Sequence, residues 1–380
     1  MKPFVESLKE RVPADVVIDV LTTIPNRYQS FERTAPEFEE TGNVTVRRFK
    51  LASHKSGFLD QANAFMRFYR QVRKYSKGAK YDLVFATSSR LMTAALGASI
   101  ANRIGAPLYL DMRDIFTDTM NNVLKSPLKY LVLPVFNTIE KRTIRSAEIV
   151  NLVSRGFADY FSRLTEPARL RYFTNGIDHE FIDRSFESSQ PGNGRKRILY
   201  AGNFGAGQGL HRIVPEAARA MTSDFEFHLV GDGGMKNDLI QSCHDLDNVV
   251  FRDPVDRPEL MRMYAEADIL FLHLNDYPAF RKVLPSKIFE YAATGKPMLA
   301  GVAGHAADFI NENVDNAGVF EPCNARSMAT ALAALELSPI SRPDFIRKFA
   351  RDNIMNEMAD DVLTLLPAAD TLVAPAAKNP

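Results

Sequence analysis

Apolar and polar positions alternate along the chain in two ways. Short runs of β-branched and apolar residues are separated by longer stretches whose apolar positions recur at helical spacing. This order favours parallel sheets covered by helices. Strands are predicted at 15–23, 44–49, 81–89, 107–112 and 148–154, and in a second series at 197–203, 225–233, 248–253, 269–274 and 298–303. The pattern therefore predicts an α/β protein with two Rossmann-like doubly wound domains.

The two series of strands are separated by a polar segment. Residues 183–196 are rich in Ser, Pro and Gly and have no periodicity, which is typical of an interdomain linker. The predicted domains are therefore 1–182 and 197–340, and residues 367–380 are predicted to be a frayed tail. Ligands of doubly wound sheets bind at the carboxyl ends of the strands, so we expect the two domains to face a cleft that holds the site.

Composition narrows the class of protein. The 380 residues are 46% hydrophobic and 24% charged, and the net charge is +1, as in a soluble globular protein. The two cysteines form no metal-ligand spacing and suit a reducing compartment. The sequence has no apolar run near the roughly 20 residues of a membrane-spanning helix and no apolar signal-peptide core. We expect a cytoplasmic location.

Positive charge is concentrated between residues 47 and 80. This segment has ten Lys or Arg residues and a single acid, Asp60. The predicted helix 58–77 within it also carries several aromatic residues. Two interpretations are open: peripheral contact with an anionic membrane surface, or an ordinary surface helix whose aromatic stripe faces the core. A nucleic-acid partner is not expected, because the rest of the chain has no matching basic groove.

Two glycine-rich turns follow successive strands of the second series. The first, 200-YAGNFGAGQGLHRI-213, has four glycines within eight residues, and the second is 229-LVGDGG-234. Without Cβ atoms, such turns let a phosphate approach the backbone N–H groups. The spacing of the first turn is GxGxG rather than GxGxxG. A nicotinamide site with Asp232 as its ribose acid and a purely structural turn are therefore alternatives.

The segment 283-VLPSKIFEYAATGKP-297 predicts a helix with an unusual polar cluster. In a helix that begins near Pro285, Ser286, Lys287 and Glu290 share one face. The free N–H groups and Lys287 can take a phosphate, and Glu290 can accept hydrogen bonds from a ribose diol. The alternative is a capped helix with an intrahelical Lys–Glu pair of little energetic weight.

These motifs resemble those of retaining glycosyltransferases of family 4, which have the GT-B architecture. The run from 197 to about 335 is similar to their donor domain. The PSKIFEY…TGKP helix is similar to that of O-antigen and capsule sugar transferases of the N-acetyl-L-fucosamine transferase type. The segments 149-IVNLVS-154, 174-TNGID-178 and 304-GHAADFI-310 support the resemblance. The last helical stretch, 344–366, resembles the segment that crosses back to complete the first domain.

The resemblance implies roles for particular residues. The implied donor-binding residues are Gly202, Asn203, Phe204, Gly205, Gly231, Asp232, Gly233, Arg252, Val255, Val283, Leu284, Pro285 and Ser286. The implied catalytic residues are Arg113, Asp114, Lys287 and Glu290. Of these, Glu290 holds the ribose, and the backbone around Arg252 and Val255 recognises the base.

The sequence departs from the family pattern at two positions. Glu290 matches the second acid of the E-x7-E signature, but the first acid is Lys282 here. The lysine of the family's KG pair is Gln208. A leaving diphosphate needs cationic help as its charge develops. We therefore expect Lys287, with Arg281 or Lys282, to neutralise it.

In the first domain, 108-LYLDMRDIFTDT-119 places Arg113 and Asp114 after a strand. The resemblance implies that Arg113 steadies the leaving phosphate and that Asp114 contacts the acceptor, whereas the alternative is a structural Asp–Arg pair. Asn26, Arg27 and Asn175 are predicted on the acceptor side. Family members usually begin with a βα unit before the helix that MKPFVESLKER resembles. Two interpretations are open: the first βα unit is absent, or the recorded start is an internal methionine. If the unit is absent, we expect the first sheet to lack a central strand and the acceptor site to lack one wall.

The resemblance implies a metal-independent, cofactor-independent retaining glycosyltransferase. Its donor would be a nucleoside-diphosphate sugar, most simply a UDP-linked N-acetyl sugar. Its acceptor would be a lipid-linked saccharide at the inner membrane face, in the synthesis of O-antigen lipopolysaccharide, capsule or exopolysaccharide. Asp245 and Asp247 are predicted in a solvated loop rather than a metal site. A sugar-nucleotide 2-epimerase and a non-catalytic nucleotide-sugar-binding protein are the alternatives.

Overall fold

The chain folds into two compact α/β units, which confirms the predicted fold class. The computed structural model describes residues 1–24, 35–50, 58–88, 90–117, 128–186 and 194–366. The first unit comprises residues 1–153, 160–173 and those from 355 on, and the second comprises 154–159 and 174–354. The second unit thus includes residues that the sequence interpretation gave to the first domain, such as Ser154, whose hydroxyl donates to the Lys282 carbonyl at 2.6 Å.

The elements alternate along the chain much as the apolar pattern predicted. Up to residue 171 they are α1 Lys2–Arg11, β1 Ile18–Thr23, β2 Phe38–Thr41, β3 Val44–Phe49, α2 Phe58–Tyr75, β4 Val84–Ser88, α3 Leu91–Ile104, β5 Leu108–Met112, α4 Leu128–Arg145, β6 Ile149–Leu152, α5 Ala158–Phe161 and β7 Leu170–Arg171. From residue 196 they are β8 Lys196–Asn203, α6 Leu210–Ala220, β9 Phe225–Asp232, α7 Lys236–Ser242, β10 Val249–Arg252, α8 Arg257–Glu266, β11 Ile269–His273, α9 Lys287–Ala293, β12 Met298–Gly301, α10 His305–Asn313, β13 Ala317–Phe320, α11 Ala325–Ala333, α12 Pro343–Phe349 and α13 Arg351–Leu363. Among the described helices, none is both long and apolar enough to cross a membrane.

The strands of the first unit form two sheets instead of the single doubly wound sheet that was expected. One sheet has the order β1-β3-β2, with β2 antiparallel, and the other is the parallel sheet β4-β5-β6-β7. In the described part of the unit, no ladder joins β1 to β4. The two sheets share a helical cover, because Leu21 of β1 and Val84 of β4 pack against one cluster of α2 and α3 side chains.

Helix α2 turns its aromatic stripe inward. Phe65, Phe68, Tyr69 and Val72 pack in the cluster with α3, and Val72 is only 2% exposed. This agrees with the interpretation of an ordinary surface helix for these aromatic residues. The opposite face is cationic and exposed, with Arg67, Arg70, Arg73 and Lys74. Among the described residues of this helix, Met66 and Tyr75 are the exposed large apolar side chains beside these cations.

The second unit is built on one parallel sheet of six strands in the order β10-β9-β8-β11-β12-β13. Its core includes the fully buried Ile198, Phe227 and Phe271. The strand order reverses between β8 and β11, which makes their carboxyl ends the switch point where ligands of such sheets bind. Next to this point, at the carboxyl ends of β8 and β9, the register pairs Gly202 with Gly231.

The carboxy-terminal helix predicted over 344–366 is two helices. Ala350 has φ −55° and ψ 126°, and this extended residue separates α12 from α13. The break lets the backbone pair with Ile177, whose N–H donates to Phe349 O at 2.8 Å and whose carbonyl accepts from Arg351 N at 2.9 Å. Helix α12 belongs to the second unit. Within α13, the boundary falls after residue 354, and the residues from 355 on belong to the first unit.

Candidate functional site

The two glycine turns of the second unit are joined to each other. A Cβ atom on Gly231 would lie 1.8 Å from the Gly202 carbonyl oxygen, and Gly231 has φ +150°. The Phe204 N–H donates to Asp232 O, and the Phe204 carbonyl accepts from Met235 N, both at 2.8 Å. Because Gly202 and Gly231 have no side chains, the ends of β8 and β9 can approach closely and form one continuous backbone surface.

The first glycine turn is braced from the end of β11. His273 Nδ1 lies 2.6 Å from Gln208 O, and its Nε2 accepts from the Cys323 N–H at 2.9 Å. These contacts require a neutral ring with the proton on Nδ1. Asn275 donates through its amide to Ala206 O at 2.9 Å and through its backbone N–H to Gly207 O at 2.8 Å. The sequence interpretation missed both residues, whose only sequence signal is their place after a buried strand.

Burial lowers the pKa of His273 to about 4. In the unfolded chain a histidine takes up its proton near pH 6.5, so the unfolded state binds more protons between pH 6.5 and 4. The free energy of unfolding should therefore fall by up to roughly 3 kcal/mol as the pH drops through this window. In urea denaturation at pH 7 and 4.5, His273→Gln should be less stable than the natural protein at pH 7 but lose less stability on acidification.

The matched control for that experiment is His244→Gln. His244 is exposed and contacts only the Gln241 carbonyl and Asp245 among the contacts that the described chain shows. This variant should keep the natural acid sensitivity. Equal pH slopes for His273→Gln and the natural protein would contradict the assignment of a buried, neutral His273.

Glu290 lies at the centre of a polar cluster on α9 and α8. Lys287 Nζ is 3.0 Å from Glu290 Oε2, so the predicted i,i+3 proximity of these two residues is confirmed. The same ammonium donates to Tyr264 Oη at 2.8 Å, and the Tyr264 hydroxyl donates to Glu290 Oε2 at 3.3 Å. Ser286 makes no side-chain cap bond, and α9 begins only at Lys287. The helix is shorter than predicted. The contacts that hold the cluster together are made between side chains and not by a helix cap.

Arg257, at the start of α8, is a second cation of the cluster. Its Nη1 lies 3.5 Å from Glu290 Oε1. The guanidinium also pairs with Glu180, lies 3.5 Å from Asp178 Oδ2, and sits over the Phe181 ring at 5.0 Å. The sequence interpretation missed Arg257 and Tyr264, because they come together with Glu290 only through the fold.

The charges around Glu290 keep it ionised. Burial alone would raise the pKa of its carboxyl, but Lys287 and Arg257 lower it below its usual range, helped by hydrogen bonds from Lys287 and Tyr264. Burial also raises the pKa of Tyr264, which therefore keeps its hydroxyl proton. Glu290, whose side chain is 13% exposed, is thus a largely buried carboxylate that can only accept hydrogen bonds.

Helix α9 is packed against the glycine turns. The Tyr291 hydroxyl accepts from the Ala201 N–H at 3.4 Å, near the end of β8. A Cβ on Gly207 would lie 3.0 Å from Phe280 Cζ, in the 3-10 turn Pro278–Lys282 that leads to α9. Glu290 and the joined glycine turns therefore belong to one region at the switch point of the sheet.

The other predicted donor-side residues are spread around this region. Leu284 is buried, while Val283 and Pro285 connect the 3-10 turn to α9. Asp232 Oδ1 accepts from Gly233 N at 2.9 Å. The exposed Arg252 ends β10, 4.0 Å from Glu259, and Val255 follows in the loop. Of the cations expected to help Lys287, Arg281 is paired with Asp276 at 3.1 Å.

In the first unit, Arg113 is part of a buried polar network. Its Nε lies 2.9 Å from Asp111 Oδ2, and the fully buried Asp111 also accepts from Thr87 Oγ1 at 2.7 Å and from Asn151 Nδ2 at 2.8 Å. Arg113 therefore makes an ion pair with Asp111, and its role at the leaving phosphate stays a prediction. Asp114 Oδ1 accepts from the neighbouring Ile115 N–H at 2.9 Å.

The predicted acceptor-side residues do not form a described group. Asn26 and Arg27 lie outside the described residues. Asn175 is half-buried and belongs to the second unit, not to the first domain, because the chain from Thr174 on packs there.

The acidic pair that was predicted in a solvated loop makes surface ion pairs. Asp245 pairs with Arg219 at 2.9 Å and Asp247 with Arg195 at 3.0 Å. Across the described ranges, no group of three or more His, Cys, Asp or Glu side chains is placed to hold a metal ion.

Two Rossmann-like α/β units, with joined glycine turns at the switch point of the second, define the GT-B class of fold. Residues 2–176 match the family model "Glycosyl transferase 4-like domain", and residues 181–352 match the model "Glycosyl transferases group 1". The two matches together span most of the chain, which is therefore a glycosyltransferase of the GT-B type. Among curated proteins, none matches the sequence.

Several solved structures share the fold. A sucrose-phosphate synthase from Thermosynechococcus elongatus has a TM-score of 0.71 at 15% identity, over 95% of this chain and 91% of that one. HepE from Anabaena, in complex with UDP and glucose, has a TM-score of 0.60 at 17% identity, over 85% and 87%. The apo lipopolysaccharide outer core galactosyltransferase WaaB has a TM-score of 0.56 at 13% identity, over 84% of both chains.

Proposed function

We propose that this glycosyltransferase moves a sugar, with retention of configuration, from a nucleoside-diphosphate sugar to a lipid-linked saccharide in the synthesis of a cell-surface polysaccharide. The observation that carries the proposal is the ionised, largely buried Glu290, held between Lys287 and Arg257 beside the joined glycine turns. A carboxylate in this state is suited to accept both hydroxyls of a ribose.

The donor side follows from the same region. The backbone around Gly202 and Gly231 can approach a diphosphate closely, and Lys287 is the cation nearest to Glu290. The likeness to HepE, whose structures contain UDP and UDP-glucose, supports a uridine nucleotide as donor. We assign the sugar to the N-acetylated class because of the resemblance of the PSKIFEY helix.

The proposed transfer step needs no nucleophilic side chain. The bond from the sugar C1 to the diphosphate oxygen breaks, and the acceptor hydroxyl oxygen forms the new bond to C1 on the same face. The proton of that hydroxyl goes to the departing diphosphate, which leaves as the nucleoside diphosphate. The protein supplies cations at the position where negative charge develops, and such preorganised charge is commonly a large part of catalysis.

The proposed acceptor is bound to a membrane. The exposed cations of α2, Arg67, Arg70, Arg73 and Lys74, offer an electrostatic contact for an anionic bilayer, in which each cation contributes about 1 kcal/mol near the surface. Such a contact would bring the enzyme to a lipid-linked saccharide on the inner face of the membrane. The likeness of the fold to a lipopolysaccharide galactosyltransferase is consistent with this proposal.

The test is an assay of nucleotide release from UDP-N-acetylglucosamine and other nucleotide sugars, with and without extracted lipid-linked acceptor. We expect UDP release that depends on the acceptor, unchanged by EDTA, and a product whose anomeric configuration by NMR is that of the donor. Release without acceptor would indicate epimerase or hydrolase chemistry, and binding without release would indicate a non-catalytic protein. Either result would contradict the proposal.

A further inference from the structure

Glu290 has two cationic partners that are held very differently. Lys287 carries one ammonium at the end of a flexible chain, its side chain is 27% exposed, and it contacts Tyr264 Oη and Glu290 Oε2. Arg257 is held by contacts that do not involve Glu290, namely those with Glu180, Asp178 and the Phe181 ring. Lys287 Nζ also lies over the Tyr264 and Tyr291 rings, at 5.6 and 5.8 Å. Arg257 is therefore anchored by ion pairs outside the cluster, whereas the only ion pair of Lys287 in the described chain is with Glu290.

The hydrogen-bond sites of Glu290 are unevenly occupied. Oε2 takes both the Lys287 ammonium at 3.0 Å and the Tyr264 hydroxyl at 3.3 Å, whereas Oε1 has only the longer contact to Arg257 at 3.5 Å among the contacts of the described chain. A ribose diol that bonds to both oxygens must enter at Oε2 as well as at Oε1. Tyr264 is completely buried, so the donor that can leave Oε2 is Lys287.

We propose that Lys287 is an exchangeable counterion: the ribose diol of a nucleoside diphosphate replaces it on Glu290, and the released ammonium then pairs with the diphosphate. The inference rests on the proposed function, in which Glu290 binds the ribose. Arg257 is the positioning residue of this exchange. It remains beside Glu290 as a countercharge when Lys287 leaves, so the carboxylate is not left unpaired.

The exchange couples recognition of the ribose to neutralisation of the diphosphate. A nucleoside without phosphates must displace Lys287 from Glu290 and offers the ammonium no new partner. A nucleoside diphosphate offers one, and a charge-assisted hydrogen bond is stronger than a neutral one. Lys287 should therefore oppose the binding of a nucleoside and favour the binding of the matching nucleoside diphosphate.

The test compares the two ligands on the Lys287→Met variant. Dissociation constants are measured by NMR titration for uridine, adenosine and guanosine, and by calorimetry for UDP, ADP and GDP. We consider the nucleoside and nucleoside diphosphate that the natural protein binds. Lys287→Met should weaken the binding of the diphosphate at least about tenfold, which is the scale of one hydrogen bond to a charged group. The nucleoside should bind equally well or more tightly.

Two further variants distinguish exchange from a general structural role. Lys348→Met is the matched control, because Lys348 is exposed on α12 and bonds to Asn313 at 2.8 Å; its binding constants should equal the natural ones. Arg257→Gln should weaken both ligands to a similar degree, because it removes the countercharge that stays. Thermal unfolding of each variant shows that its fold is intact.

Two results would overturn the exchange while leaving the proposed function in place. Equal weakening of nucleoside and diphosphate by Lys287→Met would make Lys287 a fixed support of Glu290. An unchanged dissociation constant for the nucleoside diphosphate would show that Lys287 does not contact the diphosphate. If the natural protein bound none of the three diphosphates, the proposed function would fail, and the inference with it.

Discussion

Gly231→Ala should strongly destabilise the second unit. The new methyl group would lie 1.8 Å from the Gly202 carbonyl oxygen and 3.2 Å from Phe204 Cε1, on a residue whose φ of +150° L side chains rarely adopt. The obstacle is backbone of the neighbouring strand, so no side-chain rotation relieves it. Strain of this kind belongs to the class that costs more than about 4 kcal/mol. Calorimetry should show the melting temperature of this unit falling by roughly 10 °C or more.

Gly234→Ala is the matched control, three residues further along the same turn. A Cβ atom at Gly234 would have nothing within 4 Å, and its φ is not positive. This variant should melt within a degree or two of the natural protein. If Gly231→Ala melted at the same temperature as Gly234→Ala, the two strand ends would not approach each other as described.

Glu290→Gln should raise the KM for the nucleotide sugar about 10- to 100-fold, with a smaller effect on kcat. The amide keeps the shape of the carboxylate but loses its charge and one acceptor oxygen. The two ribose hydroxyls then compete with Lys287, Tyr264 and Arg257 for the one remaining carbonyl oxygen of the side chain. Hydrogen bonds to charged groups are worth about 1.5–3 kcal/mol, which sets this range.

Glu216→Gln, on the exposed face of α6, controls for loss of a negative charge from the same unit. Its KM and kcat should be those of the natural protein. Calorimetry with UDP then separates binding from turnover. An unchanged UDP dissociation constant for Glu290→Gln would show that this carboxylate does not hold the ribose.

The sequence predicted those parts of the fold and of the site that depend on local spacing. The alternation of strands and helices predicted two α/β units, and the i,i+3 separation of Lys287 and Glu290 predicted their contact. Arg257, Tyr264 and His273 were missed, because they reach the site from other elements and no local pattern marks them.

The predictions from local pattern were wrong or incomplete where tertiary contacts determined the outcome. Alanine is the best helix former, yet Ala350 interrupts the predicted carboxy-terminal helix because the chain there pairs with Ile177. The aromatic residues of α2 were compatible with a membrane surface, but Phe68 is buried against α3 together with the aliphatic Val72. Periodicity identifies an apolar face and does not identify what covers it.

The close approach of Gly202 and Gly231 also affects how such sequences should be compared. Gly231 is required by the neighbouring backbone, whether or not a nucleotide binds. A descendant of this protein that had lost its activity would still need that glycine to fold. The contact between Glu290 and Lys287 is made by their side chains, so both could drift once catalysis no longer mattered. In a set of related sequences, the charged pair on α9 would therefore mark the active members better than the glycine turns.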